Sequence, residues 1–222
     1  MSDGETDMSE RANFSTPQEA FWAGEFGDDY VSRNSGDRVV ASNRQLFATA
    51  LGSVGPISSC LEFGANIGLN LQALRLLHPT LALKAVEINP RAAAILGQLI
   101  GPENVVVGSI GAYSSSETFD LVLVKGVLIH LQPETLPVVY EKMYRASHRL
   151  ILVAEYYNPT PVAVPYRGHA DRLFKRDFAG ELLDRYPDLT LLNYGFAYHR
   201  DVMFPQDDIT WFLLEKQSIS CR

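Results

Sequence analysis

Glu62-Phe63-Gly64-Ala65-Asn66-Ile67-Gly68-Leu69-Asn70 is the stretch on which the reading of this chain turns. It closes an apolar run at 57–63 (ISSCLEF) and opens an amphipathic segment at 68–77 that stops before Pro79. A buried strand, a glycine-containing turn and a helix in that order form the first half of a βαβ unit. Glycine serves where the backbone turns sharply or must approach a ligand, and the helix that follows offers free N–H groups at its start. Asn66 can replace a glycine there, because Asn enters the left-handed region more readily than most residues with a β-carbon. Gly64, Asn66 and Gly68 therefore make a G-x-(G/N)-x-G loop. A nicotinamide or flavin fingerprint, G-x-G-x-x-G, would need glycine at position 69, where Leu69 stands.

Outward from the loop the pattern repeats. Further strands are predicted at 82–87, 104–107, 119–124 and 149–155, and helices at 90–100, with Pro90 in the first turn, and at 133–147. Strands alternating with helices give an α/β fold with a mostly parallel, doubly wound sheet. Glu87 closes the second strand, about twenty residues after the loop, where an acid can hold both ribose hydroxyls of a nucleoside. Beyond 155 a polar and aromatic insert (156–168) leads to a helix at about 175–185 and strands near 189–198 and 209–215. Upstream, Phe14, Phe21, Trp22, Phe26 and Tyr30 predict a short helix and a turn at Gly24–Asp29, followed by a helix at 37–53. The expected organisation is an acidic disordered tail (1–13) and one domain (14–222). That domain comprises a helical cap or lid (14–53), a cofactor-binding core (54–155), a substrate loop and helix (156–188) and C-terminal strands (189–217).

Composition narrows the function. The chain has 222 residues, 46% hydrophobic and 20% charged, enough to bury a full α/β core. Its net charge of −7 resides in residues 1–29, where eight acids face Arg11 alone, and the remainder is balanced. With no basic stripe to neutralise phosphates, nucleic acid is disfavoured as a partner. No apolar run is long enough for a membrane span, and the acidic start is unlike a secretory signal, so a soluble cytoplasmic protein is expected. Cys60 and Cys221 form no metal-type pattern, and neither a disulfide nor a metal site is expected.

With loop, strand and acid in place, residues 57–155 resemble the class I S-adenosylmethionine-dependent methyltransferases. The resemblance implies a Rossmann-like seven-stranded sheet with a reversed last hairpin. It also implies S-adenosylmethionine as cofactor, S-adenosylhomocysteine as product and no metal. It places Glu62, Gly64, Ala65, Asn66 and Gly68 at the methionine part, Glu87 at the ribose, and Ile88, Ser109 and Ile110 around the adenine. Position 109 lacks the commoner Asp. Lys125-Gly126-Val127-Leu128-Ile129-His130-Leu131 resembles the segment passing under the sulfonium. More narrowly, Trp22–Tyr30, Tyr156–Pro159 and Pro165–His169 resemble pseudaminic-acid-biosynthesis-associated methylases and phosphonate O-methyltransferases of the dehydrophos type.

The acceptor pocket is expected from the loops after the fourth and fifth strands. Residues 166–176 hold Arg167, Arg172, Lys175 and Arg176 against Asp171, a local +3 with His169 alongside. Arg167, in a segment bounded by Pro and Gly, can grip a phosphonate, phosphate or carboxylate with a planar fork. A small anionic metabolite methylated on oxygen, a phosphonate first, is the expected acceptor. Tyr30, Tyr156 and Tyr157 would act as holders, and an ionised oxygen needs no base. A sugar hydroxyl would profit from one, with His130 and His169 available. Trp22, Phe26, Tyr30 and Arg33 would form a lid, or else the N-terminal segment covers the sheet or joins a homodimer. Rival readings are a sugar-acid or nucleotide-sugar methylase, a nicotinamide-dependent oxidoreductase and a non-catalytic cofactor-binding scaffold.

Overall fold

The computed structural model describes residues 15–33, 36–166, 168 and 172–217. Seven strands form one sheet: β1 (Ser59–Phe63), β2 (Ala82–Glu87), β3 (Val105–Val107), β4 (Phe119–Lys125), β5 (Ser147–Glu155), β8 (Leu189–Ala197) and β9 (Ile209–Lys216). Their order is β3-β2-β1-β4-β5-β9-β8, parallel from β3 to β5, with β9 antiparallel to both its neighbours. This is the doubly wound sheet that the alternation of strands and helices predicted, with the reversed last hairpin that the resemblance implied. The order reverses between β1 and β4, so a crevice opens at their carboxyl ends.

Successive residues of each strand serve opposite faces, and each face has its own core. Cys60, Leu121, Leu123, Leu150 and Leu152 pack with helices α3 (Asp37–Leu51), α4 (Leu69–Leu77) and α5 (Pro90–Ile100). Leu61, Phe63, Val122, Val124 and Ile151 pack with α6 (Leu136–Ala146) and α7 (Phe178–Arg185). Burial of β1, β4 and β5 on both faces explains why they read as apolar runs rather than alternations.

Two local expectations are corrected. The Gly24–Asp29 turn shrinks to Gly24: α1 (Pro17–Ala23) is followed at once by α2 (Glu25–Arg33). Gly27 fits this tight corner because a β-carbon there would lie 1.9 Å from the Trp22 carbonyl oxygen. The helix expected from about 175 begins at Phe178, where Asp177 caps it by accepting the Gly180 N–H at 2.8 Å. The residues before it form β7 (Phe174–Lys175), paired with β6 (Val162–Ala163). The expected tail, together with Arg167, His169 and Cys221, lies outside the described residues. Cys60 is a free, fully buried thiol.

Candidate functional site

At the carboxyl ends of β1, β2 and β4 lies a cavity of about 280 Å³. The predicted loop builds one wall. Gly64, Asn66 and Gly68 all have left-handed backbones, with φ of 73°, 49° and 86°. Asn66 thus occupies a glycine-like position, as expected. A β-carbon on Gly64 would come within 2.6 Å of Val127, so this glycine lets the β1 and β4 turns meet as well as lining the cavity. Gly68 caps α4 and does not line it.

Beneath the loop, Glu62 is fully buried. Its Oε1 accepts from Asn70 Nδ2 at 2.6 Å, while Oε2 and Asn70 Oδ1 have no hydrogen-bond partner among the described residues. Burial pushes the Glu62 carboxyl up to about 8, against the opposing effects of Asn70 and Lys125. Glu87, at the end of β2, accepts the Asn66 N–H at 2.6 Å and the Asn89 N–H at 2.8 Å. Burial raises it too, although those N–H groups favour its charged form. Glu87 therefore clasps the loop while presenting itself, with Ile88, to the cavity.

The N-terminal helices close the site from above. Glu19 completes the capping box of α1 and also accepts from the Ser109 hydroxyl. Ser109 and Ile110 line the cavity, but the Ser109 hydroxyl is engaged by Glu19, a link the sequence did not reveal. Asn89 caps α5 through Oδ1, and its Nδ2 donates to Asp28 at 2.9 Å and to the Trp22 carbonyl at 3.3 Å. These contacts set Trp22 and Tyr30 into the cavity wall. Of the other two expected lid residues, Phe26 stacks on Phe21 with centroids 4.1 Å apart and Arg33 lies over Phe26; neither lines the cavity.

Lys125 ends β4 at the cavity, and Gly126, Val127 and His130 follow it along the wall. His130 is buried between Trp22 and Tyr166, with centroids 4.7 and 5.1 Å away. Its Nδ1 lies 2.7 Å from the Arg172 carbonyl oxygen, which can only accept, so Nδ1 carries the proton. Burial holds the imidazole down to about 4, partly offset by that bond, so it is neutral, and Nε2 carries a lone pair with no donor to it among the described residues. Tyr156 does not line the cavity; it packs at its edge with Lys175 Nζ 5.2 Å from its ring centroid. Tyr157 is corrected outright: it lies against Phe212, away from the cavity.

The structure adds residues that the motifs missed. Ser42 and Asn43 of α3 and Gln206 and Asp207 of the β8–β9 loop complete the lining. Ser42 and Asn43 are buried polar residues beside Val40, Leu46 and Phe47 on a helix face that packs inward. Polar groups on an otherwise apolar stripe were a signal available in the sequence. The loop residues carried none. Among the described residues no group of His, Cys, Asp or Glu could hold a metal, and no helix is long and apolar enough to cross a membrane.

No family model and no curated protein matches the sequence. Solved structures do match the fold. The N-methyltransferase NodS from Bradyrhizobium japonicum, in complex with S-adenosylhomocysteine, aligns with a TM-score of 0.63 at 18% identity over 90% of this chain and 97% of its own. The 1,6-didemethyltoxoflavin-N1-methyltransferase of Burkholderia thailandensis, with bound 1,6-didemethyltoxoflavin and S-adenosylhomocysteine, gives 0.64 at 18% identity over 93% of both chains. The mitomycin 7-O-methyltransferase MmcR gives 0.64 at 12% identity over 91% of this chain and 61% of its own. This chain has the class I methyltransferase fold. At these identities the likeness establishes architecture, and both N- and O-methylating proteins share it.

Proposed function

We propose that the protein is an S-adenosylmethionine-dependent methyltransferase that methylates an oxygen of a small anionic metabolite, with phosphonates of natural-product biosynthesis as the leading acceptor class. The observation supporting methyl transfer is the convergence of the left-handed Gly64–Asn66 loop, Glu87 and Asn70 on one cavity, with the buried, half-partnered Glu62 hydrogen-bonded to Asn70 behind its wall. The fit to the cofactor rests on those acceptors. Glu62 Oε2 and Asn70 Oδ1 are matched by an ammonium, which the methionine part would supply. Glu87 would take the ribose hydroxyls, and Ile88 and Ile110 would flank the adenine.

Bound S-adenosylmethionine supplies a methyl group made electrophilic by its sulfonium. The chain's own residues align and enclose. Trp22 and Tyr30 shut the acceptor end from water, and Val127 and His130 form its floor. An ionised phosphonate oxygen already has the lone pair it needs, so alignment and partial desolvation dominate and no proton has to leave. The basic cluster at 166–176, with Arg167 and His169, supports an anionic acceptor.

One observation favours a second reading, an acceptor hydroxyl of a sugar acid or nucleotide sugar. The neutral His130, with its Nδ1 proton held by the Arg172 carbonyl, presents Nε2 as a proton acceptor. The deciding experiment is calorimetric titration with S-adenosylmethionine, S-adenosylhomocysteine and NADH, followed by methyl-transfer assays on phosphonates, phosphate esters and nonulosonic acids. Binding of the first two compounds and turnover on phosphonates is expected. Binding of NADH alone would overturn the reading, and tight cofactor binding without turnover on any acceptor would favour a scaffold.

A further inference from the structure

We propose that Lys125 anchors the acceptor: its ammonium binds an ionised oxygen group of the molecule to be methylated, whether phosphonate, phosphate ester or carboxylate. The inference rests on the methyl-transfer reading and assigns the acceptor side of that site a residue the motifs had placed with the cofactor.

Lys125 closes β4 and lines the cavity, yet it forms no hydrogen bond and no ion pair among the described residues. Lys125 is half-buried, and an ammonium with three N–H donors and no acceptor in a cavity wall is a ready seat for an anionic ligand. Its acidic neighbours act only at longer range: Glu62 from β1, Glu155 from β5 and Asp207 from the β8–β9 loop. Two of these compensate it weakly. Burial pushes Glu62 up to about 8 and Glu155 up to about 7. Glu155 also commits Oε1 to the Val127 and Leu128 N–H groups, both at 2.9 Å. Desolvation accordingly draws the Lys125 ammonium below its ordinary range, a cost that an oxyanion at Nζ would relieve.

Position identifies whose oxyanion this is. Gly64, Glu87, Ile88 and Ser109 line the cavity from the β1–β2–β3 side, where the cofactor is read. Lys125 stands across β1 from Glu87, Ile88 and Ser109, within electrostatic reach of Glu62 and of Asp207 in the β8–β9 loop. An anion held there lies beside the segment expected to pass under the sulfonium, where an attacking oxygen must be aimed. Lysine suits the task as a point charge, leaving the oxygens of the anion free to orient toward the methyl.

The test uses the full chain loaded with S-adenosylhomocysteine and titrated calorimetrically with phosphonoacetate or inorganic phosphate. The unaltered protein is expected to bind at least one probe at millimolar concentration. Lys125→Met should weaken that binding by about tenfold or more while leaving affinity for S-adenosylhomocysteine within about twofold. Lys125→Arg should retain part of the probe affinity. A drop in S-adenosylhomocysteine affinity with probe binding unchanged would overturn the proposal and move Lys125 to the cofactor carboxylate. No binding of either probe to the unaltered loaded protein, or equal binding by both chains, would overturn it as well. Failure of the unaltered chain to bind S-adenosylhomocysteine at all would bring down the methyltransferase reading and this proposal with it. Should Lys125→Met not fold, Lys125→Gln replaces it in every arm.

Discussion

Glu62 and Glu87 are both buried carboxylates at strand ends, but their surroundings divide their tasks. Glu87 has its charge stabilised by two backbone N–H groups, whereas Glu62 has one amide donor and an idle oxygen. Replacing Glu87 by Ala removes the proposed ribose acceptor, and affinity for S-adenosylhomocysteine should fall by about 10- to 100-fold. Calorimetry checks this, and an unchanged constant would remove the ribose assignment. For Glu62, burial raises the carboxyl from an ordinary 4.5 to about 8, so the folded chain holds that proton more tightly than the unfolded one. The resulting stability is fully present below about pH 4.5 and is lost as pH rises toward 8. Glu62→Gln removes this dependence. Its unfolding temperature relative to the unaltered chain should therefore climb from about pH 5 to about pH 8, measured without ligand.

At the scale of elements, the site is a set of turns that hold one another. Gly64 needs both a left-handed backbone and space beside Val127, so Gly64→Ala should cost about 2–4 kcal/mol. Pairing it with Val127→Ala should recover only the steric part, a separation that denaturant titration of the single and double variants can make. Asn66→Gly keeps the required φ and should change stability by less than about 1 kcal/mol. Asn89 joins α5 to the N-terminal helices through Asp28 and Trp22. Asn89→Ala should destabilise by about 1–2 kcal/mol and speed amide hydrogen exchange in α1 and α2 before the sheet is affected.

For the whole molecule, two cores on the faces of one sheet hold the strand ends as a rigid rim, with α1 and α2 laid across it. A ligand seated between rim and cap binds the folded chain alone. S-adenosylhomocysteine at about 100 times its dissociation constant should add about 2.7 kcal/mol. For a chain of this size that corresponds to a rise of roughly 5–10 °C in a thermal scan. No shift at that concentration would mean that the cavity does not take this ligand.

Much of this was legible in the sequence because it depends on neighbours along the chain. The strand runs, the left-handed Asn66 and the acid closing β2 follow from local burial patterns and backbone sterics, which residue order specifies directly. Gly24–Asp29 misled because a glycine and two aspartates read as a turn, whereas α2 is held in place by Asn89, more than sixty residues away. Tyr157 was misplaced because adjacent residues leaving a strand point to opposite sides, and nothing local says which side holds the site. The sequence by itself determined the α/β architecture, the loop and the acid that follows it. Only the tertiary structure decided that Glu19 engages Ser109, that the Arg172 carbonyl sets the tautomer of His130, and that Lys125 faces the cavity with no hydrogen bond or ion pair among the described residues. Those relations join residues distant along the chain, and a group's solvation and charge balance exist only once the chain has closed around it.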